Sequence, residues 1–370
     1  MRQLDRRNWL KTVGLSGGFA LFSGLESWAA DFPGRPFLPA GPIRLNANEN
    51  PYGPSRKVRE TIISSLDEAC RYPFRALSGL VDGIAKKEGV TRDHVVVTGG
   101  STEGLRAAGL TYGIGNGEII SADPTFHVMM QYAETFGARI HRIPVNEEML
   151  HDLEGMAQKV NQKTKLIFIC NPNNPTGTIL ERNKLVDFCT SFDTKTTLFV
   201  DEAYYDFITE AEYPSMIDLV KKGRNVIVSK TFSKVYGLAG LRVGYLIAKP
   251  EIAVRLKASV MANTNILAIE AAKAALKDDE FYKFSLLKTE EAKRHIYNTL
   301  QGLGLHYIPS HTNFIFFRTG RPIQSLISAM QKEHVFIGRP FPPFLKWARI
   351  STGTMEETAF FGKALIKVMA

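Results

Sequence analysis

The sequence has little of what marks several classes of protein. Among its 370 residues are three cysteines, a small and odd number that implies no disulfide framework, although one pair among Cys70, Cys170 and Cys189 stays open. Beyond the N-terminal segment, no run is long and apolar enough for a transmembrane helix. Metal-ligand spacings are absent, and so is a GxGxxG fingerprint after the first predicted strand, which argues against a nicotinamide dehydrogenase. The net charge of +9 comes without a basic tract, so it indicates anionic ligands and a solvated surface, not nucleic acid.

Lys234 is the most informative residue that the sequence does contain. It lies in the run SKTFSKVYGLAGLRVGY, Ser229 to Tyr245, eight positions before Arg242. A lysine with an ordinary pKa of about 10.4 is protonated and cannot attack an aldehyde, so a covalent role requires a site that lowers this pKa. The pattern predicts a Schiff-base lysine beside a phosphate clamp, and therefore the carbonyl cofactor pyridoxal phosphate (PLP). Lys230 is the alternative nucleophile, but it lacks the Val-Tyr-Gly that follows Lys234 and an arginine eight residues on.

Polar residues at the ends of predicted strands supply the other contacts that PLP requires. Asp201 ends the apolar run of KTTLFVDEAYYDF, where its carboxylate can hold the pyridine nitrogen protonated. Asn174, in the turn after KLIFIC, and Tyr204 are expected to donate hydrogen bonds to the cofactor's ring oxygen. Each alone has a commoner structural explanation, such as a helix cap for Asp201 and a turn for Asn174.

A phosphate site is predicted where HVVVTGGSTEGL, His94 to Leu105, passes from a strand through a glycine turn into a helix. The backbone amides at a helix N-terminus bind anions. A turn of this kind is by itself ordinary loop chemistry, and only its place in the series indicates a phosphate site. The residues expected to form the site are Ser101, Thr102 and Glu103, through their amides, together with Thr231, Ser233 and Arg242.

Eight segments together resemble the fold-type I PLP enzymes and, within them, the aminotransferases of the histidinol-phosphate type. Any one alone is weak, but eight in the family's order are specific. They are RLNANENPYGPS (Arg44 to Ser55), RYP (Arg71 to Pro73), GGSTEG (Gly99 to Gly104), DPTF (Asp123 to Phe126), CNPNNPTG (Cys170 to Gly177), DEAY (Asp201 to Tyr204), SKTFSKVYGLAGLRVGY and RISTGT (Arg349 to Thr354). The resemblance implies an α/β fold, with a mostly parallel sheet in a large domain and a smaller α/β C-terminal domain. It also implies a ping-pong transfer of an amino group between an amino acid and a 2-oxo acid.

The resemblance assigns cofactor roles to individual positions. Lys234 is similar to the Schiff-base lysine of these enzymes, and Asp201 to the partner of the pyridine nitrogen. Phe126 is similar to the aromatic residue that stacks on the cofactor ring. Asn174 and Tyr204 correspond to the two donors to the ring oxygen.

The resemblance also implies substrate contacts and a partner. Arg349 is similar to the arginine that binds the substrate's α-carboxylate, and Arg339 to one that faces the distal phosphate of histidinol phosphate. Asn50 stands where the family often has an aromatic hydroxyl, with Tyr52 two residues on, and this departure leaves both a histidinol-phosphate-like and an aromatic donor open. Tyr72 is similar to the tyrosine that reaches the cofactor phosphate of the neighbouring subunit, which implies a homodimer with shared active sites.

Two other functions fit many of the same residues. A PLP-dependent decarboxylase of the threonine-phosphate type shares the scaffold, because its reaction differs chiefly in which substrate bond stands perpendicular to the ring. A non-catalytic PLP-binding or regulatory protein is the second alternative. The chain has no appended DNA-binding module and retains each expected catalytic residue, which favours an enzyme.

The N-terminal segment supports a separate prediction about location. MRQLDRRNWLK, Met1 to Lys11, has two consecutive arginines and precedes a mildly apolar stretch, which is typical of a twin-arginine (Tat) export signal. Ser27-Trp28-Ala29 suits a signal peptidase, so we expect cleavage after Ala29. The alternative is a basic amphipathic helix that stays attached, with a cytoplasmic protein. Export through the Tat machinery would carry a folded, cofactor-loaded protein to the periplasm, with no membrane association after the signal is removed.

Strand and helix patterns alternate from about Val58 to Ala262, which predicts an α/β domain with a mostly parallel sheet. The predicted organisation is a signal at residues 1–29, an arm at 30–57, a large PLP-binding domain at 58–262 and a small domain at 263–370. The apolar spacing from residue 263 to 285 suits one long amphipathic helix that leads away from the large domain.

Overall fold

Three sheets organise the described part of the chain, which is residues 41–192 and 196–370 of a computed structural model. The predicted export signal, its cleavage site and the arm up to residue 40 lie outside the described residues. In chain order the strands are β1 (Ile43–Arg44), β2 (Val95–Thr98), β3 (Glu118–Asp123), β4 (Arg139–Pro144), β5 (Thr164–Cys170), β6 (Thr197–Asp201), β7 (Val226–Thr231), β8 (Gly244–Ala248), β9 (Tyr307–Ile308), β10 (Phe314–Arg318), β11 (Val335–Phe336) and β12 (Trp347–Ser351). The helices are α1 (Arg56–Ser64), α2 (Phe74–Glu88), α3 (Ser101–Gly113), α4 (Val128–Glu134), α5 (Leu153–Lys159), α6 (Arg182–Phe192), α7 (Ile217–Lys221), α8 (Pro250–Lys257), α9 (Ile266–Ala275), α10 (Asp279–Gly302), α11 (Ile323–Lys332) and α12 (Met355–Met369).

The largest sheet has seven strands in the order β2-β8-β7-β6-β5-β3-β4. Strands β3 to β7 pair in parallel, whereas β8 runs antiparallel to both of its neighbours. Parallel neighbours need a crossover connection, which is usually a helix, and the alternating patterns in the sequence supply these helices. The prediction of an α/β fold with a mostly parallel sheet is confirmed.

Both faces of this sheet are buried, which explains the continuous apolar runs of its strands. Because successive strand residues point to opposite faces, Ile167 and Ile169 of β5 belong to one core, and Leu166 and Phe168 to another. Helices α2 and α9 contribute to the first core, and α3, α4 and α8 to the second. The sheet is thus held between two helical layers that fix where its strands end.

Strands β5, β6 and β7 end next to one another. Cys170 of β5 pairs with Asp201 of β6, and Asp201 pairs with Ser229 of β7, in parallel register. Because parallel strands point the same way, the segments that follow them emerge at one edge of the sheet, where ligands of such folds bind. The loops that carry Asn174 and Lys234 therefore lie side by side.

A smaller antiparallel sheet, in the order β12-β10-β9, has its own core. Helices α10, α11 and α12 contribute to that core, and so does the arm strand β1, which pairs in parallel with β11. The arm thus joins the C-terminal part of the chain before the main chain enters α1. The division into domains at residues 58–262 and 263–370 stays a prediction.

The single long helix predicted from residue 263 onward is wrong. Helix α9 ends at Ala275, and α10 begins at Asp279 after Asp278, whose side chain accepts a hydrogen bond from the amide of Phe281. An aspartate at the N-cap stabilises a new helix start, which the apolar spacing alone did not reveal. Ala268 and Ile269 of α9 pack in the first core of the large sheet, so α9 does not lead away from it.

Within the described residues, no helix combines the length and apolar character needed to cross a membrane. The same residues contain no cluster of three or more side chains suited to holding a metal ion. Cys70 is exposed, Cys170 and Cys189 are buried, and no disulfide joins any two of the three.

Candidate active site

A cavity of about 300 Å³ lies at the carboxyl ends of β5, β6 and β7. The arm before α1, the start of α3, the loops after β3, β5, β6 and β7, and strand β12 all contribute to its walls. Eleven of the predicted site residues line it, namely Ser101, Thr102, Phe126, Asn174, Asp201, Tyr204, Ser233, Lys234, Arg242, Arg339 and Arg349. Five do not, namely Glu103, Thr231, Tyr72, Asn50 and Tyr52.

Lys234 lies in the cavity wall and is half-buried. Its Nζ donates a hydrogen bond of 2.8 Å to the main-chain carbonyl of Asn48. Burial lowers the pKa of Lys234 to about 7, and the positive charges of Arg349 and Arg242 act in the same direction against the carboxylates of Glu49 and Asp201. Near neutral pH a large share of this amine is therefore unprotonated, which is the state that attacks an aldehyde.

Lys230 has the opposite environment. Its Nζ lies 3.3 Å from the carboxylate of Glu202 and 4.2 Å from the centre of the Tyr205 ring. Burial favours the neutral amine, but the neighbouring carboxylates together outweigh this effect and raise the pKa of Lys230 above its ordinary value. Glu202 contributes the largest part of the rise, followed by Glu88 and Asp206. Lys230 does not line the cavity and is held protonated, so the geometry favours Lys234 as the nucleophile.

Asp201 is the last residue of β6 and is buried. One carboxylate oxygen accepts a hydrogen bond of 3.3 Å from the amide of Ala203. Burial raises the pKa of Asp201 to about 7, with the amide of Ala203 and the charge of Lys234 acting against it. Few protein groups stabilise the negative charge of this buried carboxylate, so a cationic group of a ligand in the cavity would stabilise it.

Asn174 and Tyr204 keep one donor each for the cavity. Asn174 uses its side-chain oxygen to accept a hydrogen bond of 2.7 Å from Arg349, which leaves the NH₂ group of Asn174 free to donate elsewhere. Tyr204 accepts a hydrogen bond of 2.9 Å from the side-chain amide of Asn48. Burial raises the pKa of Tyr204, so the phenol keeps its proton.

The start of α3 provides a cup of donors. The amides of Ser101 and Thr102 have no acceptor among the described residues, and Arg242 lies 3.3 Å from the Thr102 hydroxyl and 3.4 Å from that of Ser233. A helix N-terminus with an adjacent guanidinium binds anions. Gly244 is required for this approach, because a Cβ there would lie 2.7 Å from the Ser101 nitrogen.

Glu103 and Thr231 lie behind this cup. The amide of Glu103 donates to the carbonyl of Gly100 at 3.2 Å. The prediction that this amide binds a phosphate is therefore wrong. The carboxylate of Glu103 instead accepts hydrogen bonds from the amides of Gly99 and Met261, which holds the loop in place. The hydroxyl of Thr231 donates to Ser233 at 3.0 Å and orients it.

Two arginines face the opposite end of the cavity. Arg349 is buried and donates to the carbonyl of Asn46 at 2.8 Å, while its Nε has no partner among the described residues. Burial lowers the pKa of Arg349 to about 10, so the guanidinium still keeps its charge at neutral pH. Arg339 and Arg349 lie 4.4 and 5.0 Å from the centre of the Phe341 ring, so two positive charges converge on one part of the cavity.

Asn48 is a cavity residue that the sequence did not identify. It is 1% exposed and contacts Lys234, Tyr204 and Ser351 by hydrogen bonds. It lies in the segment Arg44 to Ser55, in which the sequence indicates Asn50 and Tyr52 instead. An asparagine with a positive φ of 54° is a known turn signal, although it does not show which distant groups the side chain meets.

Three predicted ligand residues lie away from the cavity. Asn50 donates to the carbonyl of Val235 and the hydroxyl of Ser285, and Tyr52 packs edge-on against Phe284 at 5.2 Å. Tyr72 is 81% exposed on the surface. The substrate roles of Asn50 and Tyr52 stay predictions.

The arrangement fits PLP on the chemistry of its donors. A lysine with a lowered pKa suits the aldehyde, the unpaired amides and Arg242 suit the phosphate, and the buried carboxyl of Asp201 suits the pyridine nitrogen. When bound, PLP supplies an aldehyde that combines with amino groups and a ring that accepts electrons from the α-carbon. The fold and the cavity thus define the class of PLP-dependent α/β enzymes.

Comparison with known proteins narrows the class to one family. Residues 40–362 match the family described as aminotransferase class I and II, and the chain belongs to it. It is 36% identical over 332 residues to a histidinol-phosphate aminotransferase of Moorella thermoacetica, over 89% of this chain and 86% of that protein. It is 34% identical to histidinol-phosphate aminotransferase 2 of Carboxydothermus hydrogenoformans, over 90% of this chain and 97% of that protein. The fold matches that of a histidinol-phosphate aminotransferase from Sinorhizobium meliloti in complex with pyridoxal-5'-phosphate, with a TM-score of 0.83 and 24% identity over 93% of this chain and 99% of that one.

The protein is a PLP-dependent aminotransferase that uses an amino donor and a 2-oxo acid. This confirms the predicted reaction and cofactor. The relatives favour transamination over the decarboxylase and the non-catalytic alternatives.

Proposed function

We propose that Lys234 binds the aldehyde of PLP and then moves the proton at the α-carbon of the amino donor. The observation that carries this proposal is the position of Lys234 in the cavity, where burial lowers its pKa to about 7. A group with a pKa near the working pH both accepts and returns a proton. Asp201 would hold the pyridine nitrogen protonated. Asn174 and Tyr204 would donate to the ring oxygen.

The remaining cavity residues would bind and orient the cofactor. Ser101 and Thr102 would bind its phosphate through their amides, with Ser233 and Arg242. Phe126 lines the same cavity and packs against the second core of the large sheet, which suits a side chain that stacks on the cofactor ring.

The two arginines at the far end indicate the substrate. Burial and, to a lesser extent, the positive charge of Arg339 lower the pKa of Arg349, so a ligand with two negative charges would be stabilised between the two guanidinium groups. We propose an amino donor that carries a phosphate, of the histidinol-phosphate kind, with an aromatic amino acid as the second candidate. Asn50 at the position of an aromatic hydroxyl is what keeps the second candidate open.

A donor series with an Arg339→Gln variant tests the substrate proposal. We expect histidinol phosphate to bleach the visible absorption of the PLP-bound full chain. Arg339→Gln should raise the KM for histidinol phosphate about 10- to 100-fold, because one charge-assisted hydrogen bond is lost. The KM for an aromatic amino acid should change little. Arg318→Gln is the control, because Arg318 is exposed on β10 outside the cavity. Equal effects of Arg339→Gln on both donors would contradict a phosphate contact.

We also propose that the protein is a homodimer with shared active sites. Large apolar side chains are exposed at Ile63, Leu66, Tyr72 and Phe74, which are close in sequence, and at Met261. Met261 lines a cleft of about 710 Å³ together with Thr102 and Arg242, which also belong to the phosphate cup. A second copy would bury these apolar side chains and bring its Tyr72 to the neighbouring phosphate.

Mixing two inactive variants tests the shared site. Lys234→Ala and Tyr72→Ala should each be impaired alone. In a mixed dimer, one site combines Lys234 of one subunit with Tyr72 of the other. Unfolding both variants, mixing them and refolding them together should therefore restore activity. No recovery in a mixture that sediments as a dimer would contradict the shared site.

For the location we propose export by the Tat pathway, on the strength of Arg6 and Arg7 before an apolar stretch. Replacing both with lysine keeps the charge but removes the arginine pair that the export machinery reads. The precursor should then stay in the cytoplasm of a Gram-negative host, as measured by fractionation. Arg2→Lys is the control and should be exported. Normal export of the Arg6→Lys, Arg7→Lys variant would refute the proposal.

A further inference from the structure

Asn48 joins three parts of the active site through one set of hydrogen bonds. Its main-chain N–H donates to the hydroxyl of Ser351 at 2.8 Å, and the same hydroxyl lies 3.0 Å from the side-chain oxygen of Asn48. Its side-chain nitrogen lies 2.9 Å from the hydroxyl of Tyr204, and its carbonyl accepts from Lys234. These contacts link the arm to β12, to the loop after β6 and to the loop after β7.

The direction of these bonds is fixed at the Ser351 end. A main-chain N–H can only donate, so the Ser351 oxygen accepts from Asn48. The single proton of the Ser351 hydroxyl is then directed to its other neighbour, the side-chain oxygen of Asn48. This bond determines which way round the amide of Asn48 lies.

The fixed amide in turn fixes the hydroxyl of Tyr204. With its oxygen bound to Ser351, Asn48 presents its NH₂ group to Tyr204, and an NH₂ group can only donate. The Tyr204 oxygen therefore accepts this bond, and its own proton has to go to another acceptor. Because burial raises the pKa of Tyr204, that proton stays on the phenol.

We propose that Asn48 is a positioning residue that makes Tyr204 a hydrogen-bond donor toward the ring oxygen of PLP. The inference rests on the role of Tyr204 in the proposed function. If Asn48 presented its oxygen, the phenol would donate to Asn48 and the ring oxygen would lose a donor. Ser351 follows Arg349 by two positions on β12, so the strand that carries the substrate arginine also sets this direction.

A donor to the ring oxygen stabilises its anionic form and weakens its hold on a nearby proton. The bound chromophore should therefore lose its proton at a lower pH when Tyr204 donates. The charged or titratable groups that act on Tyr204 are Arg349, Cys170 and Asp201, and Lys234 lies 5.3 Å from the centre of its ring. All of them stay in place in the Asn48, Ser351 and Tyr204 variants proposed below.

Asn48→Asp tests the direction of the relay, because a carboxylate of the same shape accepts where the amide donated. The pH titration of the visible absorption of the PLP-bound full chain should show an apparent pKa raised by about one unit or more, the value of a hydrogen bond to a charged group. The added negative charge also raises this pKa. The same substitution is therefore made in a Tyr204→Phe background, which keeps the charge but removes the hydroxyl.

In the Tyr204→Phe background the effect of Asn48→Asp should be much smaller than in the unmodified protein. Equal increases in both backgrounds would overturn the proposal, since the charge alone would explain them, and so would no increase in either. Ser351→Ala is a milder second variant if Asn48→Asp does not fold, as judged by the thermal midpoint without cofactor. It frees the amide to turn over, so it should raise the apparent pKa in the same direction by less, and only when Tyr204 is present. No change with Ser351→Ala would also overturn the proposal.

Failure of the proposed residue roles and failure of the inference about Asn48 give different results. If the unmodified protein forms no visible chromophore with PLP, or if the Lys234→Ala variant still forms it, the proposed residue roles are wrong and the inference about Asn48 is wrong with them. If the chromophore depends on Lys234 but its pKa ignores Asn48, only the inference fails.

Discussion

Replacement of Lys234 by alanine is expected to abolish both transamination and the visible absorption of covalently bound PLP. One lysine, Lys234, is among the described residues that line the cavity. Its pKa of about 7 makes its amine reactive near neutral pH. A positioned acid–base group contributes up to about 10⁴-fold to a rate, and the same amine also forms the covalent bond, so the loss should reach at least about 10⁴-fold. Single-turnover kinetics with an amino donor measure it. Retention of more than a small part of the rate would refute the role of Lys234.

The cofactor-free Lys234→Ala variant should remain folded and be more stable than the unmodified apoprotein at pH 7. The pKa of Lys234 is lowered from 10.5 to about 7 by burial, so the unfolded chain holds the proton more tightly than the folded one. This contribution to stability is complete above pH 10.5 and is lost as the pH falls toward 7. Alanine removes the cost, and the difference in thermal midpoint should shrink as the pH rises. A lower midpoint at pH 7 would indicate that the variant loses activity by losing its structure.

Lys230 provides the matched control. Removing one member of its buried pair with Glu202 would cost about 3–5 kcal/mol, so both are replaced together as Lys230→Met with Glu202→Gln. This double variant should keep the visible absorption and most of the activity. Loss of the absorption in the double variant, with its retention in Lys234→Ala, would reverse the assignment of the nucleophile.

The sequence could predict the residues that follow strand ends, and the reason is geometric. Asn174, Asp201 and Lys234 are far apart in the chain, but parallel pairing of β5, β6 and β7 brings their segments to one edge. The apolar runs indicate the strands, and in a parallel sheet the polar residues just beyond the strand ends meet at one edge. The amides at the start of α3 followed in the same way from a strand, a glycine turn and a helix.

The sequence could not predict contacts that depend on how the arm lies across the cavity. Asn48 meets Ser351 from 303 positions away, and no local pattern indicates which asparagine of the motif turns inward. Glu103 was expected to offer its amide to a phosphate, but the helix's own geometry gives that amide to Gly100. The apolar spacing continues across the break between α9 and α10, where Asp278 caps the new helix and α9 stays packed in the first core of the large sheet.

Asp201→Asn should keep PLP bound and yet lose most of the rate. Asparagine has nearly the same shape as aspartate, and the lysine and the phosphate cup remain, so the visible absorption should persist. Asparagine carries no negative charge, so it cannot keep the pyridine nitrogen protonated, and the ring accepts electrons less well. Loss of one preorganised electrostatic group of this kind reduces kcat by about 10²- to 10³-fold.

Asp123→Asn is the matched control for Asp201→Asn, because Asp123 ends strand β3 of the same sheet and does not line the cavity. It should reduce kcat much less than Asp201→Asn does. The pKa of Asp201, raised to about 7 by burial, explains why the site favours a cation so strongly, since the carboxylate has no full countercharge of its own. Asp201→Asn should therefore hold PLP less tightly but still bind it, so the visible absorption persists while kcat falls. A kcat within about tenfold of the unmodified enzyme would mean that the ring nitrogen does not depend on Asp201.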